Sequence, residues 1–252
     1  MRILITNDDG IAAEGIRVLS RVLAERHEVW VVAPDSNRSG VSHGITMYHP
    51  LYLAPTDQRS FSCSGLPVDC VMSGLNGLLP EPPDVVVSGI NHGANLGTDI
   101  MYSGTAAAAR QASFVGIPGI AVSLVHCPRD AALSDGTLHW EPLSRFILQN
   151  LDALVALCDR DVFVNVNAPS LPEYRGARIT DPARRSYLDV VTFVPEGSGT
   201  LRREFESSRI ETDGGLDSDW RAVRDGFVSV SRIRAQPVDA PVPDSISVRF
   251  RT

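Results

Sequence analysis

Two adjacent carboxylates, Asp8 and Asp9, follow a short apolar run near the start of the chain, in residues 7–10 (NDDG). Asn and Asp are common in turns and at helix N-caps, so this segment alone is also typical of an ordinary capped turn. A second interpretation is a site for a hard divalent cation, because such ions prefer carboxylate, carbonyl and water oxygens. A cation would relieve the repulsion between the carboxylates, and Gly10 eases the turn that brings both to one ion.

Polar, glycine-bearing segments also follow two later predicted strands. Ser39 lies in residues 36–40 (SNRSG), and Asn91 and Asn95 lie in residues 88–97 (SGINHGANLG). Ser39 is either a loop serine with a local backbone bond or a ligand that completes a metal shell. Glycines at intervals of four permit a backbone whose exposed amides bind an anion, although an ordinary loop has the same composition.

A third kind of segment, residues 103–105 (SGT), precedes a predicted helix of small residues. Ser103, Gly104 and Thr105 are typical of a helix cap and equally of a phosphate seat on a helix N-terminus. Both interpretations use the same geometry, so this segment alone does not decide between them. The segment does not have the P-loop motif G-x-x-x-x-G-K-[ST]. The first strand is not followed by G-x-G-x-x-G, which disfavours a dinucleotide site.

Alternating strands and helices are predicted to position these segments. Strand, helix and strand within the first 34 residues form a βαβ unit, which implies parallel strands and a right-handed crossover. The repeated alternation predicts an open, mostly parallel α/β sheet, in which ligands bind outside the carboxyl ends of the strands. The predicted strands cover residues 2–6, 27–34, 84–89, 117–125 and 161–169, and the predicted helices cover 11–26, 104–116 and 139–159.

The pattern changes near residue 180. Residues 186–212 predict a long β-hairpin around 196–199 (EGSG), residues 213–219 a loop, and residues 226–233 a last strand. An isolated hairpin is marginally stable in water, so we expect this one to pack on something, such as another subunit.

Composition narrows the class of protein. The chain has 252 residues, 43% of them hydrophobic, and a net charge of -7, without a block of Lys and Arg that would favour a nucleic-acid polymer. Its four cysteines form no C-x-x-C pair, which disfavours a zinc knot, and the length of the chain disfavours a disulfide framework. No signal-peptide pattern and no apolar run of about 20 residues is present, so we expect a cytoplasmic protein without a membrane span.

Taken together, the segments resemble the SurE family, the survival-protein-E 5′/3′-nucleotidases. The resemblance runs in order from Met1 to about residue 233, and the set in this order is far more specific than any single piece. The matching segments are residues 7–10, 31–40, 88–97 and 102–109, with looser matches at 65–71 and 219–231.

The resemblance implies a Rossmann-like, doubly wound α/β catalytic domain over residues 1–180. Residues 181–252 would form a swapped β-hairpin and a C-terminal oligomerisation extension, with strand 226–233 packing back on the core, in a homodimer or homotetramer. One divalent cation per subunit, Mg²⁺ or Mn²⁺, is implied, with nucleoside 5′- and 3′-monophosphates, and for some members polyphosphate, as substrates. The implied metal ligands are Asp8, Asp9, Ser39 and Asn91, and the implied phosphate-binding residues are Asn95, Ser103, Gly104 and Thr105.

The first hypothesis is therefore a metal-dependent phosphomonoesterase, in which Asp8 positions or deprotonates the nucleophile and Asp9 anchors the metal. Direct attack by Asp8 is possible chemistry, and the sequence does not separate it from attack by water. A haloacid-dehalogenase-like phosphatase is a second hypothesis, disfavoured because that chemistry needs two aspartates spaced one apart. A third is a binding module that senses a nucleotide or metal without turnover.

Overall fold

The computed structural model describes residues 1–126, 137–197 and 199–237, so Cys127 and most of the proline-containing tail lie outside the described residues. It contains eleven strands and five α-helices in the described part of the chain. The strands are β1 (Arg2–Thr6), β2 (Glu28–Pro34), β3 (Leu53–Asp57), β4 (Ser60–Cys63), β5 (Val85–His92), β6 (Gly119–Val125), β7 (Val162–Pro169), β8 (Ala177–Ile179), β9 (Arg184–Glu196), β10 (Thr200–Asp213) and β11 (Val228–Arg234). The helices are α1 (Glu14–Leu23), α2 (Pro67–Ser73), α3 (Gly104–Phe114), α4 (Trp140–Ala156) and α5 (Asp219–Arg224).

Nine of these strands form one mixed sheet in the order β3-β4-β2-β1-β5-β6-β7-β11-β8. The six strands from β4 to β7 in that order are parallel, whereas β3 and β11 pair antiparallel with β4 and β7. The prediction of a mostly parallel, doubly wound α/β sheet is confirmed.

Helices cover both faces of this sheet, as the first strand shows. Ile3 and Ile5 of β1 pack in the core cluster that contains α1 and α4, and Leu4 packs on the opposite face with α2 and α3. All three side chains have no exposed surface. A strand buried on both faces has no polar alternation, which is why β1 reads as a continuous apolar run.

Some elements differ from the predictions in extent or were missed. α1 begins at Glu14 rather than at residue 11, and β5 continues through Asn91 and His92, which were expected in a loop. β3 and β4 were missed because the β3 sequence LAPTD is exposed and contains proline, so it carries no strand pattern. α2 was also missed, although Pro67 at its first turn is a usual helix-start signal.

The predicted hairpin is present as β9 and β10, which pair antiparallel in a separate two-stranded sheet. Outside residues 205–209, its apolar side chains are largely exposed; Phe193, for example, is 62% exposed. Within the described residues, no helix has the length and apolar character needed to cross a membrane.

Candidate active site

A cavity of about 530 Å³ opens at the carboxyl ends of the central strands. Five of the residues singled out in the sequence line it, namely Asp8, Ser39, Asn91, Asn95 and Ser103. They come from four separate segments, which the parallel topology gathers at one edge of the sheet. Further lining residues include His92, Asp99, Tyr102, Tyr187 and Asp189.

Asn7 organises the turn that carries the two carboxylates. This fully buried residue donates from Nδ2 to the Gly10 carbonyl at 2.9 Å and accepts from the Gly10 amide at 3.2 Å. The reciprocal pair fixes the backbone between them, so Asp8 and Asp9 point to different partners. This role of Asn7 was not predicted, although the N-x-x-G spacing in residues 7–10 is a signal for it.

Asp8 is held by the first turn of α3. The Thr105 hydroxyl donates to Asp8 Oδ1 at 2.6 Å, and the Thr105 amide donates to Oδ2 at 3.1 Å. Gly104 permits this close approach, because a Cβ at that position would lie 2.9 Å from the Asp8 Cβ. Thr105 therefore positions Asp8, and the phosphate-binding role that the resemblance implies for it stays a prediction.

The buried environment of Asp8 disfavours the charged form of its carboxyl group. Burial raises the pKa of Asp8, the hydrogen bonds from Thr105 lower it, and the neighbouring charge of Asp9 raises it again. Only 3% of the residue is exposed. Two carboxylates that repel each other at a buried strand end are an arrangement that a bound cation would stabilise.

Asp9 and the Ser39 loop are fixed by backbone contacts. Asp9 Oδ2 accepts from the His92 amide of β5 at 2.9 Å, so Asp9 links β1 to β5. The Arg38 amide donates to the Asp8 carbonyl at 2.6 Å and thereby holds the loop containing Ser39 beside the first strand. Asp9 is not among the residues that line the cavity, whereas Ser39 is.

The oxygen groups present fit a hard divalent cation. Asn91 donates from Nδ2 to the Gly93 carbonyl at 3.1 Å, which leaves its amide oxygen available as a ligand. With the Ser39 hydroxyl and the two carboxylates, this gives an all-oxygen donor set of the kind that Mg²⁺ and Mn²⁺ prefer. A group of three or more His, Cys, Asp or Glu that could hold a metal is not found in the described part of the chain. Any cation here would therefore depend on the neutral oxygens.

Asn95 is positioned by a buried polar network on β6 and β7. Its amide donates to Asn167 Oδ1 at 2.9 Å and its Nδ2 to Ser123 Oγ at 2.8 Å. Its carbonyl accepts from Asn165 and Asn167. These supporting residues were not predicted, because the role of a polar side chain within an apolar strand depends on partners that are distant in the sequence.

The N-terminus of α3 is partly occupied by the chain itself. Ser103 caps the helix by accepting from the Ala106 amide at 3.0 Å, and the Thr105 amide goes to Asp8. Of the first three amides of the helix, Gly104 supplies the one that is used by neither Asp8 nor Ser103. The helix cap predicted for these residues is therefore present, and the phosphate seat stays a prediction.

A second buried carboxylate, Asp99, joins the cavity to the hairpin. Arg185 forms an ion pair with Asp99, and the Tyr187 hydroxyl donates to it. Both side chains of the ion pair are 10% exposed. Burial raises the pKa of Asp99, while the hydrogen bond from Tyr187 and the charge of Arg185 lower it. These contacts were not predicted, because the residues that make them are more than 80 positions apart.

Asp219 fixes the loop that follows Asn95. Its fully buried carboxylate accepts from the amides of Gly97 at 2.7 Å and Ala183 at 2.9 Å. Gly97 has a φ of +52°, and a Cβ there would lie 1.8 Å from the Ala183 carbonyl oxygen. Only glycine fits this position, so the loop, the start of β9 and α5 are locked together.

Comparison with known proteins gives a family match along most of the chain. The model of the family described as survival protein SurE matches residues 3–189. A 5′-nucleotidase SurE from Gemmatimonas aurantiaca is 42% identical over 92% of this chain and 91% of its own, and one from Treponema pallidum is 52% identical over 70% and 95%. The crystal structure of the Sure protein from Aquifex aeolicus superimposes with a TM-score of 0.79 at 31% identity, covering 95% of both chains.

Proposed function

The chain belongs to the SurE family of survival proteins, and from this membership we propose that it hydrolyses nucleoside 5′-monophosphates to nucleoside and phosphate. The relatives that match along most of the chain carry the name 5′-nucleotidase. The observation that carries the proposal is the buried Asp8, held by Thr105 in a cavity that also exposes Ser39, Asn91 and Asn95.

We propose that the enzyme depends on one divalent cation per subunit, Mg²⁺ or Mn²⁺. Asp8, Asp9, Ser39 and Asn91 would hold the ion through oxygen atoms, and the repulsion between the carboxylates supports this assignment. Such an ion, when bound, supplies a Lewis acid for a phosphate oxygen and for water.

The remaining groups bind the phosphate and direct the attack. The Gly104 amide and the Asn95 side-chain amide are donors for the oxygens that gain charge in the transition state, with the dipole of α3 adding to them. Ser103 holds the first turn of the helix in place. Asp8, fixed by two hydrogen bonds from Thr105, is the group that positions the nucleophile or takes its proton.

Two alternative functions would each give a different experimental result. A nucleotide-sensing module would bind through the same residues without releasing phosphate. A haloacid-dehalogenase-like mechanism would give a phosphorylated Asp8 that a fluoroberyllate analogue traps. The adjacent spacing of Asp8 and Asp9, and membership of the SurE family, favour the phosphomonoesterase over both.

The proposal is tested by a metal-by-substrate screen of phosphate release from purified protein. We expect release from AMP or GMP with Mn²⁺ or Mg²⁺, and loss of release with EDTA that is restored by excess cation. Arms with 3′-AMP and polyphosphate test the wider range that the family resemblance implies. Undiminished activity in EDTA would contradict the metal dependence, and nucleotide binding without phosphate release under every cation would contradict hydrolysis.

A further inference from the structure

The cavity extends beyond the residues assigned to metal and phosphate. Its volume of about 530 Å³ lies within the range of about 300–1,000 Å³ typical of sites for whole small molecules. We call the lining residues Asp8, Asn91, Asn95 and Ser103 the inner wall. We call the two lining residues from β9, Tyr187 and Asp189, the hairpin wall. The proposed chemistry uses no residue of the hairpin wall.

The hairpin wall is built by strand periodicity. Alternate residues of a strand share one face, so Arg185, Tyr187 and Asp189 point to the same side of β9. The first two are fixed by Asp99, and Arg185 is anchored further because its amide donates to Thr98 Oγ1 at 2.9 Å. Asp189 is the next residue on this face, and it lines the cavity. The anchored part of the strand therefore determines where Asp189 stands.

The charges of the hairpin wall indicate which part of a substrate it binds. Arg185 forms an ion pair with Asp99. For the Asp189 carboxylate, in contrast, the described part of the chain shows neither a hydrogen bond nor an ion pair, and this carboxylate lines the cavity. The Asp189 carboxylate is exposed. It is a good acceptor for hydroxyl donors, and a carboxylate is the usual partner of ribose hydroxyls in nucleotide sites of α/β proteins.

We propose that Asp189 is a specificity-determining residue that accepts hydrogen bonds from the 2′- and 3′-hydroxyls of the substrate ribose. This inference rests on the proposed function, since it names the group that recognises the nucleoside part of the same substrate. Tyr187, with its hydroxyl bound to Asp99, is the positioning residue that holds β9 against the cavity.

The test compares Asp189→Asn with Glu196→Gln, which removes one carboxylate from the far end of the same strand. Substrates are AMP, 2′,3′-dideoxy-AMP and p-nitrophenyl phosphate. We expect Asp189→Asn to lower kcat/KM for AMP by about tenfold, the loss of one hydrogen bond to a charged group, and to leave the other two substrates unchanged. Equal losses on all three substrates, or no loss on AMP, would overturn the proposal.

Binding of adenosine, measured by calorimetry, separates this inference from the proposed function. We expect Asp189→Asn to weaken adenosine binding by about tenfold and to leave 2′,3′-dideoxyadenosine binding unchanged, while Glu196→Gln changes neither. Protein that shows this pattern but releases no phosphate would support the ribose site and refute the hydrolase. Adenosine binding that is absent, or equal in wild type and Asp189→Asn, would refute the ribose site even if AMP is hydrolysed.

Discussion

The inner wall and the hairpin wall face the same cavity, but the chain holds them in different ways. Asp8 of the inner wall lies at the end of a strand buried on both faces, under a helix whose Thr105 makes two hydrogen bonds to it. Asp189 of the hairpin wall lies on a strand whose side chains are mostly exposed and which is fixed near its base by Asp99.

This difference separates two tasks. Groups that act on reacting atoms need positions fixed to a fraction of an ångström, and a close-packed sheet with a buried hydrogen-bond network supplies them. A group that recognises the rest of a substrate tolerates more freedom. If Asp189 has the recognition role that we propose, its place on an anchored but exposed strand would let substrate preference change without disturbing the residues proposed for metal and phosphate.

The largest expected effect tests the rigidity of the sheet. Phe163 of β7 is fully buried among the small residues of α3. Phe163→Ala should lower the free energy of unfolding by about 3–5 kcal/mol, because it removes a large side chain from a packed interior. Denaturant unfolding followed by circular dichroism measures the loss. A value below about 1 kcal/mol would mean that this layer is loosely packed.

The next effect concerns chemistry at the inner wall. Asp8→Asn should lower kcat by at least about a hundredfold, since even residues that merely support a metal ligand cost ten- to a hundredfold. Asp152→Asn on the exposed face of α4 is the matched control and should retain full activity. Phosphate release from AMP at saturating Mn²⁺ measures both variants. Full activity of Asp8→Asn would remove Asp8 from the mechanism.

A smaller effect isolates the positioning of Asp8. Thr105→Val removes the hydroxyl at 2.6 Å from Asp8 Oδ1 but keeps the shape and the backbone amide. We expect about a tenfold loss of kcat with a nearly unchanged KM, because the carboxylate is less well held while the phosphate donors remain. Ser113→Ala at the other end of α3 serves as control. A rise in KM without a fall in kcat would instead indicate that Thr105 contacts phosphate.

The smallest effect is expected on the hairpin. Phe193→Ala removes an aromatic ring that is 62% exposed, so the free energy of unfolding should change by no more than about 0.5 kcal/mol. The measurement is the same as for Phe163→Ala, with light scattering to follow the size of the particle. A loss of several kcal/mol, together with a smaller particle, would show that a second copy covers the hairpin, as the family resemblance implies.

Much of the sheet follows from local pattern. The apolar runs of β1 and β6 predicted strands of a mostly parallel sheet, and the segment of small residues at α3 predicted a helix. β3 was not predictable because its exposed residues carry no periodic pattern. α5 was not predictable either, since its six residues are fixed by the hydrogen bonds of Asp219 to Gly97 and Ala183.

The sequence by itself determined the fold class and the family, because the periodicity of apolar residues and the order of the motifs can be recognised without the tertiary structure. It also identified the segments around Asp8, Ser39, Asn91 and Asn95, since polar residues after apolar strands mark a sheet edge. Only the tertiary structure decided that Thr105 holds Asp8 and that Tyr187 and Asp189 share their cavity. Those contacts join positions about 80 to 180 residues apart, and the packing of the sheet and hairpin, rather than any local preference, brings them together.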